Sequence, residues 1–316
     1  MSNPSHLITT SDITAARQVI AGRLHRTPLQ RSSYLSDRTG AQVYLKLEMF
    51  QKTGSFKPRG VLNRMRHLTP EEKRAGVVTM SAGNHAQAVA WAARQLGVSA
   101  TVVMPSKAVR SKVEATKGYD AEVILTDGNL LETVRSIQAE RGLTLVHPFD
   151  HPDVIAGQGT LGSELLEDVP EVETVVVGIG GGGLISGVAA AIKQARPRTR
   201  IIGVEPQGAP TMTESLRIGA PAYLERVDTV ADGLSAPFSG AHNLAHVQAF
   251  VDDVVLVSDA EIIDAMWLVL ERCKVLAEPA AASTVAALVA GKTGASTGKT
   301  ICVLSGGNVD RSRLTG

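Results

Sequence analysis

Short apolar runs alternate with stretches of helical period along most of this 316-residue chain. The runs at 77–80, 101–104, 122–125, 174–178, 200–205 and 300–304 have the length of strands. The segments 86–96, 111–117, 130–140, 159–166, 185–195, 260–275 and 280–290 have the length and pattern of helices. Such alternation predicts parallel sheets with helices on both faces, because a parallel pair needs a crossover connection and a helix supplies it. In 260–275, Ile262, Ile263, Met266, Val269 and Leu270 fall on one helical stripe. Aromatic residues are only 3% of the chain against 44% hydrophobic, so Ala, Val, Leu and Ile must build the core. The α/β set between about 69 and 147 reads as a small domain inserted into a larger one made of 1–68 and 148–316.

The net charge of +1 gives no electrostatic reason to expect a nucleic-acid or anionic-membrane partner. Cys273 and Cys302 are too few for a disulfide framework and sit in apolar patterns, as small buried hydrophobes do. The start, Met1-Ser2-Asn3-Pro4-Ser5-His6, lacks the basic and apolar regions of a secretory leader. No continuous apolar stretch is long enough to span a bilayer. A cytoplasmic protein is expected.

Lys57 lies in Thr53-Gly54-Ser55-Phe56-Lys57-Pro58-Arg59-Gly60, between an expected strand at 43–47 and an expected helix at 58–67. Pro58 suits a first helical position, which places Lys57 at the positive end of the helix dipole. That field disfavours the ammonium form, and a neutral amine is what Schiff-base chemistry requires. A solvated surface lysine is the ordinary alternative.

Gly178-Ile179-Gly180-Gly181-Gly182-Gly183-Leu184 joins a strand to a helix. Converging amides and a helix N-terminus make a phosphate site there. Gly178, Gly180 and Gly183 satisfy the dinucleotide spacing GxGxxG, with Glu205 near the place of its ribose-binding acid; a cup for one phosphate monoester fits equally. Ser81-Ala82-Gly83-Asn84-His85 is a second strand-to-helix turn, in which Ser81 is placed to cap the helix and the amides to hold a carboxylate. Asn84 can both donate and accept. Ser305-Gly306-Gly307-Asn308 ends a buried strand, where open α/β sheets bind ligands. His147-Pro148-Phe149-Asp150-His151-Pro152-Asp153 has metal-ligating residue types, but its two prolines make it a stiff connection with Asp153 as a helix cap.

Taken together, the motifs around Lys57, Ser81 to Gln87, the four glycines and Ser305 to Asn308 resemble the pyridoxal-phosphate (PLP) enzymes of fold type II. The resemblance is to the serine/threonine dehydratase and serine racemase branch, with its ordered motifs SFKxRG, S(A/S)GNHxQ, GGGG and SGGN. It extends to His25-Arg26-Thr27-Pro28-Leu29, Val154-Ile155-Ala156-Gly157-Gln158-Gly159-Thr160 and Gly203-Val204-Glu205-Pro206. It implies a tryptophan synthase β-like fold of two open, twisted, mostly parallel sheets flanked by helices. Lys57 resembles the lysine that carries the cofactor, and Phe56 its neighbour against the ring. Gly180, Gly181, Gly182, Gly183 and Leu184 resemble the phosphate cup. Asn84 resembles the partner of the phenolic oxygen and Ser305 that of the ring nitrogen. Ser81, Ala82, Gly83, Asn84 and His85 resemble the loop that binds the substrate carboxylate, and the loop from Val230 to Pro237 the rest of the pocket.

The implied activity is β-elimination from an L-β-hydroxy amino acid such as threonine or serine, giving a 2-oxo acid and ammonia, in a homodimer. Racemisation of serine or hydroxyaspartate is the alternative. In the racemase branch a serine acting as acid and base stands where this chain has Ala82, and alanine carries no proton. A nicotinamide-dependent dehydrogenase using the glycine spacing and Glu205 is a remoter alternative, since it leaves Lys57, Ser81 and Ser305 without roles. Some members bind a divalent cation near Glu205 with a further acid, but Thr211 stands at that position and no metal site is expected. The chain ends soon after Asn308, so the C-terminal regulatory domain of biosynthetic threonine deaminases is not expected.

Overall fold

The computed structural model describes residues 6–310. Residues Met1 to Ser5, read above for a leader, and the outer limits of the expected large domain lie outside the described residues. Ten strands form two sheets: β1 (Leu29–Arg31), β2 (Gln42–Leu47), β3 (Val77–Met80), β4 (Ala100–Pro105), β5 (Glu122–Thr126), β6 (Thr144–Leu145), β7 (Thr174–Gly178), β8 (Arg200–Pro206), β9 (Asp253–Val257) and β10 (Lys299–Leu304). The six-stranded sheet has the order β1-β2-β10-β7-β8-β9 and the four-stranded sheet the order β5-β4-β3-β6. Among the strand pairs of the described residues, only β1–β2 is antiparallel. The α/β class with two mostly parallel, helix-flanked sheets is therefore as expected.

The central strands are buried on both faces, which is why they read as continuous apolar runs. Their side chains alternate. On β10, Cys302 and Leu304 pack with Ala281, Val285 and Leu45, whereas Ile301 and Val303 pack with Ile185, Val188 and Leu161 on the other face. Both cysteines are buried and free. Small side chains on the Asn84–Leu96, Gly183–Ala195 and Pro279–Val289 helices fill the layers, in keeping with the scarcity of aromatics.

Two expectations need correction. The helix expected at 159–166 runs over Pro152–Asp168. Its N-cap is His151, whose Nδ1 accepts from the Asp153 amide, so Asp153 lies in the first turn and is not the cap. The helix expected at 260–275 ends at Leu268 and continues as a single wider turn, Val269–Cys273, that Lys274 closes in the left-handed region at φ 62°. Among the described residues no helix is long and apolar enough to cross a membrane.

Candidate active site

The strands β2, β10 and β7 lie side by side and parallel, so their carboxyl ends open on one edge of the sheet. Lys57 follows β2, Ser305 follows β10 and the glycine turn follows β7. Asn84 comes from the other sheet, at the start of the helix after β3.

Lys57 is the N-cap of the Pro58–Arg66 helix, with Pro58 in the first turn as expected. Its Nζ donates to the Pro148 carbonyl at 2.9 Å and lies 5.2 Å from the centre of the Phe56 ring. Burial lowers its pKa from 10.5 to about 8, against the opposing pull of Glu278. The expected direction holds, but burial is the principal cause. The turn is held from both sides. The Phe56 amide donates to the Ser305 carbonyl at 3.0 Å. Arg59, wholly buried, donates through Nε and Nη2 to Glu48 (2.8 and 2.9 Å) and through Nη1 and Nη2 to Glu164 (2.6 and 3.0 Å). Lys46 adds a bond to Glu164 at 2.7 Å, and the Thr27 hydroxyl donates to Glu48.

In the glycine turn, Gly182 is the N-cap at φ 97° and the helix starts at Gly183, two residues earlier than the apolar pattern suggested. The rear of the turn is filled. A Cβ on Gly181 would lie 2.4 Å from the Phe149 ring, and one on Gly182 would lie 2.8 Å from the Asn243 Cβ. Asn243 Nδ2 donates to the Gly181 carbonyl at 3.0 Å. The amides of Gly180, Gly181, Gly182, Gly183 and Leu184 find no protein acceptor among the described residues. Consecutive unclaimed donors at a helix N-terminus fit a phosphate monoester.

Glu205 does not complete a dinucleotide site. It is wholly buried, and its carboxylate accepts from the amides of Met212 (2.6 Å) and Thr213 (2.9 Å) and from the Thr213 hydroxyl (2.7 Å). It serves the start of the Thr211–Ile218 helix and is not presented to a ribose. Burial pushes its pKa up to about 7 despite these bonds. Thr211 donates its hydroxyl to the Ala236 carbonyl at 2.7 Å.

Ser81 does not cap the following helix. Gly83 is the N-cap, the helix starts at Asn84, and the Ser81 Oγ instead accepts from the Gly83 amide at 3.1 Å within the turn. The helix begins too far along for the Ser81 hydroxyl to reach its first-turn amides. The amides of Ala82, Asn84 and His85 have no protein acceptor among the described residues, so the loop still offers donors. The His85 ring is buried against Thr79 Oγ1 (2.9 Å) and the Val146 carbonyl (3.1 Å). Burial, with Lys57 adding to it, holds its pKa well below the usual value, so the ring is neutral. Ser305 is buried and its hydroxyl has no partner among the described residues. The histidines of the 147–153 loop serve the loop itself: His147 Nδ1 accepts from the Phe149 and Asp150 amides, and Asp150 accepts from the amides of Ala241, His242 and Asn243.

Glu278 escaped the sequence reading, and Asn308, Thr53 and Ser55 were given no role of their own within their motifs. Glu278 and Asn308 grip Asn84; Asn84 Nδ2 donates to Glu278 at 2.8 Å and Asn84 Oδ1 accepts from Asn308 at 2.8 Å. Thr53, at φ 60°, and Ser55 carry buried hydroxyls with no partner among the described residues. Only the acid before Pro279, a helix-start pattern, hinted at Glu278.

Residues 20–307 match the family model of the pyridoxal-phosphate dependent enzymes. The chain is 47% identical to the L-threonine ammonia-lyase of Thermotoga maritima over 308 residues, which are 96% of this chain and 76% of that one. It is 43% identical to the catabolic L-threonine dehydratase TdcB of Escherichia coli over 313 residues, 98% and 95% of the two chains. Its backbone superposes on maize serine racemase with a TM-score of 0.93 at 40% identity, covering 98% and 96%. It matches threonine deaminase isoform 2 from Solanum lycopersicum with a TM-score of 0.90 at 37% identity, covering 96% and 85%. The chain belongs to the pyridoxal-phosphate-dependent enzyme family. Within it, the place is in fold type II, in the branch of the serine/threonine dehydratases and serine racemases.

Proposed function

We propose that this enzyme dehydrates and deaminates an L-β-hydroxy amino acid, threonine or serine, to a 2-oxo acid and ammonia. The observation that carries the reading is the half-buried Lys57 amine, lowered by burial to about 8, at the same sheet edge as an unclaimed row of glycine amides. At neutral pH about a tenth of such an amine is unprotonated, far more than of an exposed lysine.

Pyridoxal phosphate, when bound, supplies the electron sink that makes the substrate α-proton acidic. The protein's residues do the rest. Gly180 to Leu184 hold the phosphate with backbone N–H groups. Asn84 donates to the phenolic oxygen, and Phe56 flanks the ring. Ser305 bonds the ring nitrogen without protonating it, which keeps the sink shallow and favours prompt elimination. The amides of the Ser81 to His85 loop hold the substrate carboxylate. Lys57 would receive the α-proton, the β-hydroxyl would depart as water with a proton taken from the protonated Lys57 or from solvent, and the unsaturated amine, once released, would take up water to give the 2-oxo acid and ammonia.

The named activities of the threonine ammonia-lyase and dehydratase relatives support this assignment. The likeness to maize serine racemase supports racemisation of serine or hydroxyaspartate as the second reading. Ala82 argues against it, because no side-chain acid stands at that position. The proposal includes a small domain of residues 69–147 within a large one, and a homodimer in the cytoplasm, as the resemblance implies.

The test is the colour and chemistry of the purified enzyme. A yellow protein whose absorption borohydride bleaches, with Lys57→Ala colourless and inactive, is the expected result. L-threonine and L-serine should yield 2-oxo acid and ammonia. D-serine as the main product would contradict the lyase reading, and a colourless protein that binds NAD(H) would overturn both.

A further inference from the structure

Glu278 is a buried carboxylate that the reaction above leaves without a part. It stands just before the Pro279–Val289 helix, and its amide donates to the Gly306 carbonyl at 3.1 Å. Its Oε1 accepts from Asn84 Nδ2 at 2.8 Å and its Oε2 from the Asn308 amide at 3.2 Å. Asn308 Nδ2 donates both to Asn84 Oδ1 (2.8 Å) and to the Thr53 carbonyl (2.7 Å). A Cβ on Gly306 would lie only 2.8 Å from Glu278 Oε1, so the carboxylate is walled in.

These partners are not interchangeable. An ionised carboxylate only accepts, and the Asn308 carboxamide nitrogen only donates. Turning Asn84 over would set its oxygen against Glu278 and its nitrogen against Asn308, two repulsive contacts. In the orientation observed, one Asn84 N–H remains unclaimed by the described residues.

We infer that Glu278 is a positioning residue that locks the Asn84 carboxamide in one orientation, so that the remaining N–H serves as donor to the phenolic oxygen of the bound cofactor. This rests on the pyridoxal-phosphate site proposed above. The lock is strict only while Glu278 is ionised, because a protonated carboxyl can donate. Burial pushes Glu278 up to about 7; Asn84 and the Asn308 amide work against that shift, and Lys57, Lys112 and Asp232 are the charged groups around it. The lock therefore tightens as pH rises through neutrality.

The experiment uses the substrate-free holoenzyme and Glu278→Gln. Two quantities are read, the pyridoxal-phosphate dissociation constant and the pH titration of the visible absorption. The parent should show a step near pH 7. Glu278→Gln should lose that step and retain the cofactor about ten-fold less tightly, the size of one charge-assisted hydrogen bond. Asn308→Ala removes the other half of the lock, should weaken retention similarly, and serves if Glu278→Gln fails to fold. Parent-like retention in the folded variant, or a step that survives the loss of Glu278, overturns the inference. Borohydride labelling of the parent separates the two levels. Labelling at Lys57 with an unchanged Glu278→Gln titration overturns the lock alone, whereas no labelling at Lys57 overturns the site and the lock with it.

Discussion

Replacing Arg59 by Met tests how the Lys57 turn is held. The guanidinium makes four bonds to two buried carboxylates and a fifth, at 3.2 Å, to the Thr160 hydroxyl. Methionine approximates its volume, so packing loss is small and the effect is electrostatic. Glu164 keeps Lys46 at 2.7 Å. Glu48 keeps only the Thr27 hydroxyl, so one buried carboxylate loses its counter-charge. Breaking one buried pair costs about 3–5 kcal/mol, a large share of the roughly 5–15 kcal/mol that holds a domain together. Urea unfolding of the parent and variant holoenzymes, followed by tryptophan fluorescence and circular dichroism, measures the gap. Adding Glu48→Gln should recover more than half of the loss, because the two sites are coupled. A gap below about 1 kcal/mol, or no recovery on adding Glu48→Gln, would refute the account.

Gly181→Ala sets a methyl group 2.4 Å from the Phe149 ring, so the turn must shift. Cofactor retention should fall by about ten-fold or more, with about 1–3 kcal/mol of destabilisation, and Phe149→Ala in the same chain should restore part of both. Ala82→Ser places a hydroxyl where the branch comparison requires a second proton carrier. Chiral chromatography after incubation with L-serine should then reveal D-serine absent from the parent reaction, and its absence would show that the residue at 82 does not decide between the two outcomes.

What the sequence disclosed was local. The glycine run, the Lys57-Pro58 pair and the strand-end Ser305 can be read within a dozen residues, because turn chemistry and helix starts are local physics. The Ser81 cap failed because the helix begins one turn-residue beyond Gly83, a choice the preceding strand and turn make together. Glu278 was invisible for a different reason. Its partner Asn84 is 194 residues away, and only the packing of the two sheets brings them into contact. Glu205 was legible as an acid at a strand end but not as the anchor of the next helix, since a ribose, a cation or a helix start suits the same position. Short elements such as β1 and β6 carry too few residues for their period to stand out.

The edge formed by β2, β10 and β7 acts as a fixed jaw. Neighbouring strands are held about 4.8 Å apart by their ladder, and the bond from the Phe56 amide to the Ser305 carbonyl ties the Lys57 turn to the end of β10, so the proposed lysine, ring partner and phosphate cup keep their spacing while these backbone bonds hold. Asn84 and the carboxylate loop ride on the other sheet. With the roles proposed above, a shift between the two sheets would be felt at the substrate and at one oxygen of the cofactor, while the anchors on the six-stranded sheet would keep their places.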